Sequence, residues 1–331
     1  MSIAYRASAA VACAALFGST LAAAESSASY PTRPVRLIVP FAPGGGTDLA
    51  ARVLAAAMNE QWGSNATMVV DNRGGAGGSI GVELAAKANP DGYTVLLCTI
   101  GTHAINPALY KKKITYDHLR DFTPVAYIGS TPNVFMVHPS MPAKSLAEYI
   151  ALAKASPGKM SFGSSGVGAS PHMSIELMKS MTRIDIVHVP YKGASPALTD
   201  VMGGQIQASV GNLPGGPLAA IKAGKVRALG VTSAKRNKQI PDVPSFGETI
   251  PGYDVSSWYG IAAPAGLPKA IVARLNRDLV AAANKPDVRK RLEDQGVTVE
   301  TSTPEEFLAR IRKETLVWQK VVAETGLAMT E

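Results

Sequence analysis

The residues best placed to hold a ligand are glycines, and they come in four runs. Pro40-Phe41-Ala42-Pro43-Gly44-Gly45-Gly46-Thr47-Asp48 is the first, and Asn72-Arg73-Gly74-Gly75-Ala76-Gly77-Gly78-Ser79 is the second. Gly163-Ser164-Ser165-Gly166-Val167-Gly168-Ala169-Ser170-Pro171-His172 and Pro190-Tyr191-Lys192-Gly193-Ala194-Ser195-Pro196 follow. Each run comes after a short apolar stretch and before an amphipathic one. Glycine tolerates positive φ and lets a ligand approach the backbone closely. The first helical turn offers unpaired N–H groups and the positive end of the helix dipole. A glycine turn that opens a helix is therefore a site for an anion. Taken alone, each run also reads as an ordinary strand-to-helix turn, with Thr47 as an N-cap in the first and Ser170-Pro171 as a cap and first-turn pair in the third. Asp48 brings negative charge to the first turn and is expected to orient the loop. A valine at Gly45 is expected to block close approach there and weaken every ligand alike.

Other chemistries find little support. No run gives G-x-G-x-x-G or G-x-x-x-x-G-K-[ST], so the nucleotide motifs are absent. Ser164-Ser165 lacks the G-x-S-x-G spacing of a nucleophile elbow, with Val167 where the last glycine should stand. A secreted hydrolase using Ser164 or Ser165 with His172 is the enzymatic alternative, and it lacks an orienting acid. The histidines His103, His118, His138, His172 and His188 are scattered, without metal-ligand spacing, so neither a metal nor another cofactor is expected. His172, near a helix start, reads as a packing or hydrogen-bonding residue. Cys98 ends the apolar run Tyr93–Cys98 and reads as a buried, inert thiol.

The elements that would position these turns alternate along the chain. Strands are predicted at 35–39, 67–70, 93–98, 134–137, 160–162, 186–189, 207–210, 228–231 and 255–263. Helices are predicted at 49–62, 80–88, 145–155, 171–181, 194–202 and 218–223, with three more at 268–283, 286–295 and 304–325. Leu49, Val53, Leu54 and Met58 show the helical period. Alternation of this kind argues for mostly parallel sheets covered by helices on both faces. In such sheets ligands bind beyond the carboxyl ends of the strands, where the glycine turns fall. No linker is visible, so two domains would share crossing strands.

Composition sets the outer bounds. The chain has 331 residues, 46% hydrophobic and 18% charged, with 31 glycines and 23 prolines dispersed along it. That excludes a disordered chain and a collagen repeat. Residues 1–24 read as a secretory signal peptide: Arg6 supplies the n-region, Ala7 to Ala24 is uncharged, and Ala22-Ala23-Ala24 is the cleavage site. Loss of the leader removes Cys13 and leaves Cys98 alone, so no internal disulfide is expected. The formal charge of +8 becomes about +7 without Arg6, a mild preference for anionic partners. Nucleic acid is a poor candidate, since the basic residues are dispersed. Lys111-Lys112-Lys113 and Lys235-Arg236-Asn237-Lys238 read as solvated surface.

The chain resembles the periplasmic solute receptors of tripartite tricarboxylate transporters, the Bug receptor family. The resemblance is carried by Tyr30–Arg36, Pro40–Asp48, Val70–Gly78, Asn89–Tyr93, Asn106–Tyr110, Pro190–Gly193, Ala223–Leu229 and Tyr259–Pro268, in order across the chain after the leader. It implies an α/β two-lobed periplasmic binding protein of type II, a Venus flytrap, each lobe a mostly parallel sheet flanked by helices. Lobe 1 would comprise residues 25–128 and 252–331, and lobe 2 residues 129–251. The ligand implied is a small carboxylate, held in the inter-lobe cleft by backbone N–H groups and water. Carried over by position, Phe41, Ala42, Gly44, Gly45, Gly46 and Thr47 line one side, with Gly77, Gly78, Ser79, Thr99 and Thr102 beside them. Ser164, Ser165, Gly168, Ala169, Tyr191, Lys192, Gly193 and Ala194 face them, and Asn212 reads the far end of the ligand. Ala169 stands where the family often has serine, so a hydroxyl contact is lost there or taken over by Ser170. Lys192 either pairs with the carboxylate or is a solvated turn residue. The partners implied are the carboxylate and, transiently, membrane transporter subunits, with the receptor itself a monomer. A sensor that signals to a membrane partner is the alternative use of the same fold.

Overall fold

The computed structural model describes residues 29–110 and 114–326. The leader, Cys13 and Lys111-Lys112-Lys113 lie outside the described residues. In chain order the first half runs β1 (Val35–Val39), α1 (Gly46–Trp62), β2 (Met68–Asn72), α2 (Ser79–Ala86), β3 (Thr94–Thr99) and α3 (Asn106–Tyr110). β4 (Phe122–Val137) leads into α4 (Leu146–Ala155), β5 (Ser161–Ser164), α5 (Ser170–Thr182), β6 (Val187–Pro190) and α6 (Ala194–Met202). β7 (Ala208–Asn212), α7 (Gly216–Lys222) and β8 (Arg227–Val231) complete that part. The chain ends with β9 (Ser256–Pro264), α8 (Lys269–Asn284), α9 (Pro286–Glu293), β10 (Thr298–Val299) and α10 (Pro304–Thr325).

The strands pair in the order β2-β1-β3-β9-β4-β7-β5-β6, with β8 and β10 also on β4. β1, β2 and β3 are parallel, as are β5, β6 and β7. Parallel neighbours of this kind need a crossover connection, which the intervening helices supply. β9 and β4 run antiparallel to their neighbours. This is a two-lobed α/β fold, and β4 joins its halves. Residues Phe122 to Pro132 of β4 pair with β9, and from Asn133 onward it pairs with β7 and then β8. The chain returns between β8 and β9, where Thr232 bonds both Asn133 and Val255.

Each lobe has its own apolar core. Leu37, Val39, Leu54, Met58, Leu275 and Leu279 pack together in the first, and Val134, Val201, Leu218 and Val231 in the second. A third cluster runs from Ile38 and Leu96 to Phe135 and Phe162 and so spans both. α10 lays Phe307, Ile311, Trp318 and Val322 on that spanning core. Its start is fixed by a capping box, in which Thr303 Oγ1 accepts from Glu306 N and Glu306 accepts from Thr303 N. Cores of this kind leave the strand ends and their turns free to face one another between the lobes.

Candidate functional site

The four glycine turns form a ring. Ala42 N donates to Lys192 O at 3.2 Å, and Ser195 Oγ donates to Pro43 O at 2.8 Å, so the first turn meets the fourth. Tyr191 N donates to Ser164 O at 3.0 Å, joining fourth to third. The third meets the second where Gly166 and Val167 press on Gly77. The second returns to the first, since a Cβ on Gly78 would lie 3.2 Å from the Phe41 ring. First and second turns belong to one lobe, third and fourth to the other. The helices α1, α2, α5 and α6 all begin at this ring, and their first-turn amides have no partner inside the helix.

Two capping expectations fail. The N-cap of α1 is Gly45 and that of α5 is Ala169, neither with a side-chain cap bond. Thr47 lies one residue inside α1 and is buried. Ser170 starts α5 and turns its hydroxyl to Asn133 instead. Asp48 does orient the first loop. Its carboxylate accepts from Gly44 N at 2.9 Å, Arg52 Nε at 2.9 Å and Asn72 Nδ2 at 3.0 Å. Burial pushes this carboxyl up, but the bonds from Arg52, Gly44 and Asn72 outweigh it and hold its pKa below the ordinary 3.8. The acid is therefore held ionised, with Arg52 as its counter-charge.

Around the ring lies a buried polar shell. Thr99 N donates to Thr102 Oγ1 at 3.0 Å, and Thr102 Oγ1 lies 3.0 Å from His103 Nδ1. Residues 101–105 form a π-helical turn that the sequence does not announce. It packs on the third turn, where a Cβ on Gly101 would lie 3.2 Å from Ser170 N. Ser79 Oγ accepts from Asn106 Nδ2, which also reaches Gly77 O. Asn212 packs on Gly46 and donates to Asn133 Oδ1 at 2.7 Å. Asn133 and Asn106 are not among the expected site residues, and Ser170 is expected only as a substitute for the hydroxyl missing at Ala169. The signal of the two asparagines is weak, because both fall outside the glycine runs.

Several side chains face other partners. Tyr191 hydroxyl donates to Asp200 at 2.6 Å, leaving its backbone to the ring. Lys192 is exposed, and its carbonyl rather than its ammonium joins the first turn. Ser164 Oγ lies 2.7 Å from His188 Nε2 and accepts from Gly166 N. His172 hydrogen-bonds and packs as expected, and does not make the serine pairing that the hydrolase alternative needs: its Nδ1 accepts from Gly168 N at 3.1 Å, and its ring stacks on His188 at 4.0 Å. Burial, then the charges of His188 and Lys179, pull the His172 pKa down to about 2. Cys98 is buried and donates to Gly260 O, and burial pushes its thiol up, so it stays protonated. The 235–238 run is not simply solvated, since Arg236 pairs with Glu248 and Asn237 donates to Gly296 O.

The family profile of the tripartite tricarboxylate transporter receptor matches residues 50–327. The chain belongs to that family. Receptors of this family are periplasmic binding proteins and not enzymes, which removes the hydrolase alternative. BugT of Bordetella pertussis is 37% identical over 92% of this chain and 93% of its own length. A Rhodopseudomonas palustris receptor solved with adipate is 37% identical, with a TM-score of 0.86 over 90% of this chain and 99% of that one. MatC of Rhodopseudomonas palustris, solved with bound malate, is 32% identical, with a TM-score of 0.83 over 88% of this chain and 100% of that one. Among the described residues of this receptor, no helix is long and apolar enough to cross a membrane, and no three His, Cys, Asp or Glu side chains cluster to hold a metal.

Proposed function

We propose that this receptor captures a small carboxylate in the ring of glycine turns and delivers it to a tripartite tricarboxylate-type membrane transporter. The observation that carries the reading is the convergence of the starts of α1, α2, α5 and α6 on one ring shared by both lobes. Adipate and malate on two receptors of the family support the ligand class. On this reading Phe41 is the apolar wall. Gly45, Gly46, Thr47, Gly77, Gly78 and Ser79 present backbone and hydroxyl groups from one lobe. Ser164, Ser165, Gly168, Ala169, Gly193 and Ala194 present theirs from the other, with Thr99 and Thr102 beside the first-lobe groups and Asn212 toward the far end. The two lobes divide near residues 128 and 252.

Capture needs no covalent step. Donors from both lobes surround the anion only when the lobes meet, so the ligand shifts the equilibrium toward closure. A hydrogen bond to a charged group contributes roughly 1.5–3 kcal/mol. Three or four, less ordering costs, give a dissociation constant on the order of micromolar, near −8 kcal/mol. Export through a leader at 1–24 places the receptor where the solute arrives, and a monomer suffices for this work. Calorimetry of the mature protein against adipate, malate and other small carboxylates tests the reading. Saturable binding of at least one is expected; a folded protein that binds none overturns it.

A further inference from the structure

We propose that Asn133 is the positioning residue through which capture in the cleft moves the hinge. Asn133 sits where β4 changes partners. The strand pairs with β9 as far as Pro132, and Asn133 is the first residue to pair with β7, opposite Asn212. Its backbone also ties the two chain crossings together. Asn133 N donates to Thr232 Oγ1 at 2.9 Å, and Thr232 N donates back to Asn133 O at 2.9 Å. Thr232 in turn donates through Oγ1 to Val255 O at 2.6 Å and accepts from Val255 N at 2.7 Å. Asn133 is thus part of the hinge by its main chain.

Its side chain points the other way, toward the ring. It is fully buried. Nδ2 donates to Ser170 Oγ at 2.9 Å, and Oδ1 accepts from Asn212 Nδ2 at 2.7 Å. Ser170 is the first residue of α5, and Asn212 packs against Gly46 at the start of α1. A planar amide holds both groups at once, and its Oδ1 also lies 3.2 Å from Ser170 Oγ as an acceptor, an arrangement that an alanine cannot keep. Rotation about the crossing strands therefore carries the α5 terminus and Asn212 with it. An anion seated on those groups resists that rotation, and by linkage the hinge angle sets their fit to the anion. This deepens the carboxylate reading and rests on it for the ligand. Asn133 touches the ring only through Ser170 and Asn212.

The test places spin labels on the two lobes by Glu60→Cys in α1 and Lys154→Cys in α4, both exposed positions. Buried Cys98 does not compete for label. The distance between labels is measured with and without adipate and malate, alongside calorimetry. In the parent protein the bound ligand narrows the distance distribution. In Asn133→Ala we expect affinity to fall at least tenfold and the ligand-induced narrowing to shrink by half or more. Ser165→Ala, in the ring but not bonded to Asn133, is expected to weaken binding while the saturated protein still closes fully. Asn133→Asp keeps the shape if the Ala variant does not fold, and the charge it adds beside the anion should cost about a hundredfold in affinity. An Ala or Asp variant that binds within threefold of the parent and closes fully overturns the proposal. If the parent binds neither these two probes nor any other small carboxylate of the panel, the carboxylate reading fails, and Asn133 is judged on the unliganded protein. There Asn133→Ala must broaden the label distances, and an unchanged distribution refutes it.

Discussion

Gly77 is the residue whose size matters most to the ring. Its φ of 61° lies in the left-handed region, and a methyl group on it would overlap the Val167 carbonyl of the opposite lobe. Gly45 is different. Its φ is −86°, and a methyl there would lie 3.5 Å from Ala194 Cβ, an ordinary contact. Gly77→Ala must hold the second and third turns apart, so it should weaken every carboxylate alike by tenfold or more, about 1.4 kcal/mol. Gly45→Ala should stay within about threefold, near 0.6 kcal/mol by the same conversion. Calorimetry on the two variants separates them, and equal losses would mean that inter-lobe contact at Gly77 is incidental. The sequence displays the glycines but not this ranking. The atom that makes Gly77 critical belongs to Val167, far along the chain, and only folding brings it near. Ser164 carries the same lesson, since its partner proved to be His188 across β5 and β6 rather than His172 along the helix.

At the scale of elements, α1 shows how a local signal becomes a braced site. Asp48 lies in its first turn, where negative charge complements the dipole. It is 4% exposed and holds Gly44, Arg52 and Asn72 together. Asp48→Ala leaves those donors unpaired and should destabilise the fold by about 2–4 kcal/mol, read from urea unfolding. Because the folded pKa is depressed, this stabilisation is present above about pH 4 and is lost as pH falls through the folded value. Asp48→Asn should therefore remove part of the acid dependence below pH 4; an unaltered acid limb would assign the brace no charge. Most elements were legible because their periods were strong: α6 and α10 begin and end where the pattern says. β4 was not. Its first stretch, Phe122 to Pro132, carries Pro124, Gly129 and Pro132 and two bulges against β9, which destroy alternation. That stretch ends where β4 passes from β9 to β7 at Asn133, so the least legible strand is the one shared by both halves.

For the molecule as a whole, both walls of the cleft are backed by histidines that folding keeps neutral. His103 supports Thr102 and stacks edge-on to Phe122 at 4.9 Å. His188 is sandwiched between Phe162 and His172 behind the third turn. Burial is the main cause in each case, with His118 adding to it at His103, His188 and Lys179 at His172, and Lys179 at His188. It draws His103 down to about 3, His172 to about 2 and His188 to about 4, from 6.5. Folded values below the unfolded one mean that the unfolded chain takes up protons first on acidification. The stabilisation is complete above about pH 6.5 and declines as pH falls toward each folded value. Each histidine contributes a slope of up to about 1.4 kcal/mol per pH unit. The unfolding free energy should therefore drop steadily between pH 6.5 and pH 4.5, with both lobes losing support at once. His188→Gln can keep a hydrogen bond to Ser164 while removing one titrating group. Urea unfolding across that range should show its slope reduced by about one proton relative to the parent; parallel curves would mean that His188 is not held neutral in the fold.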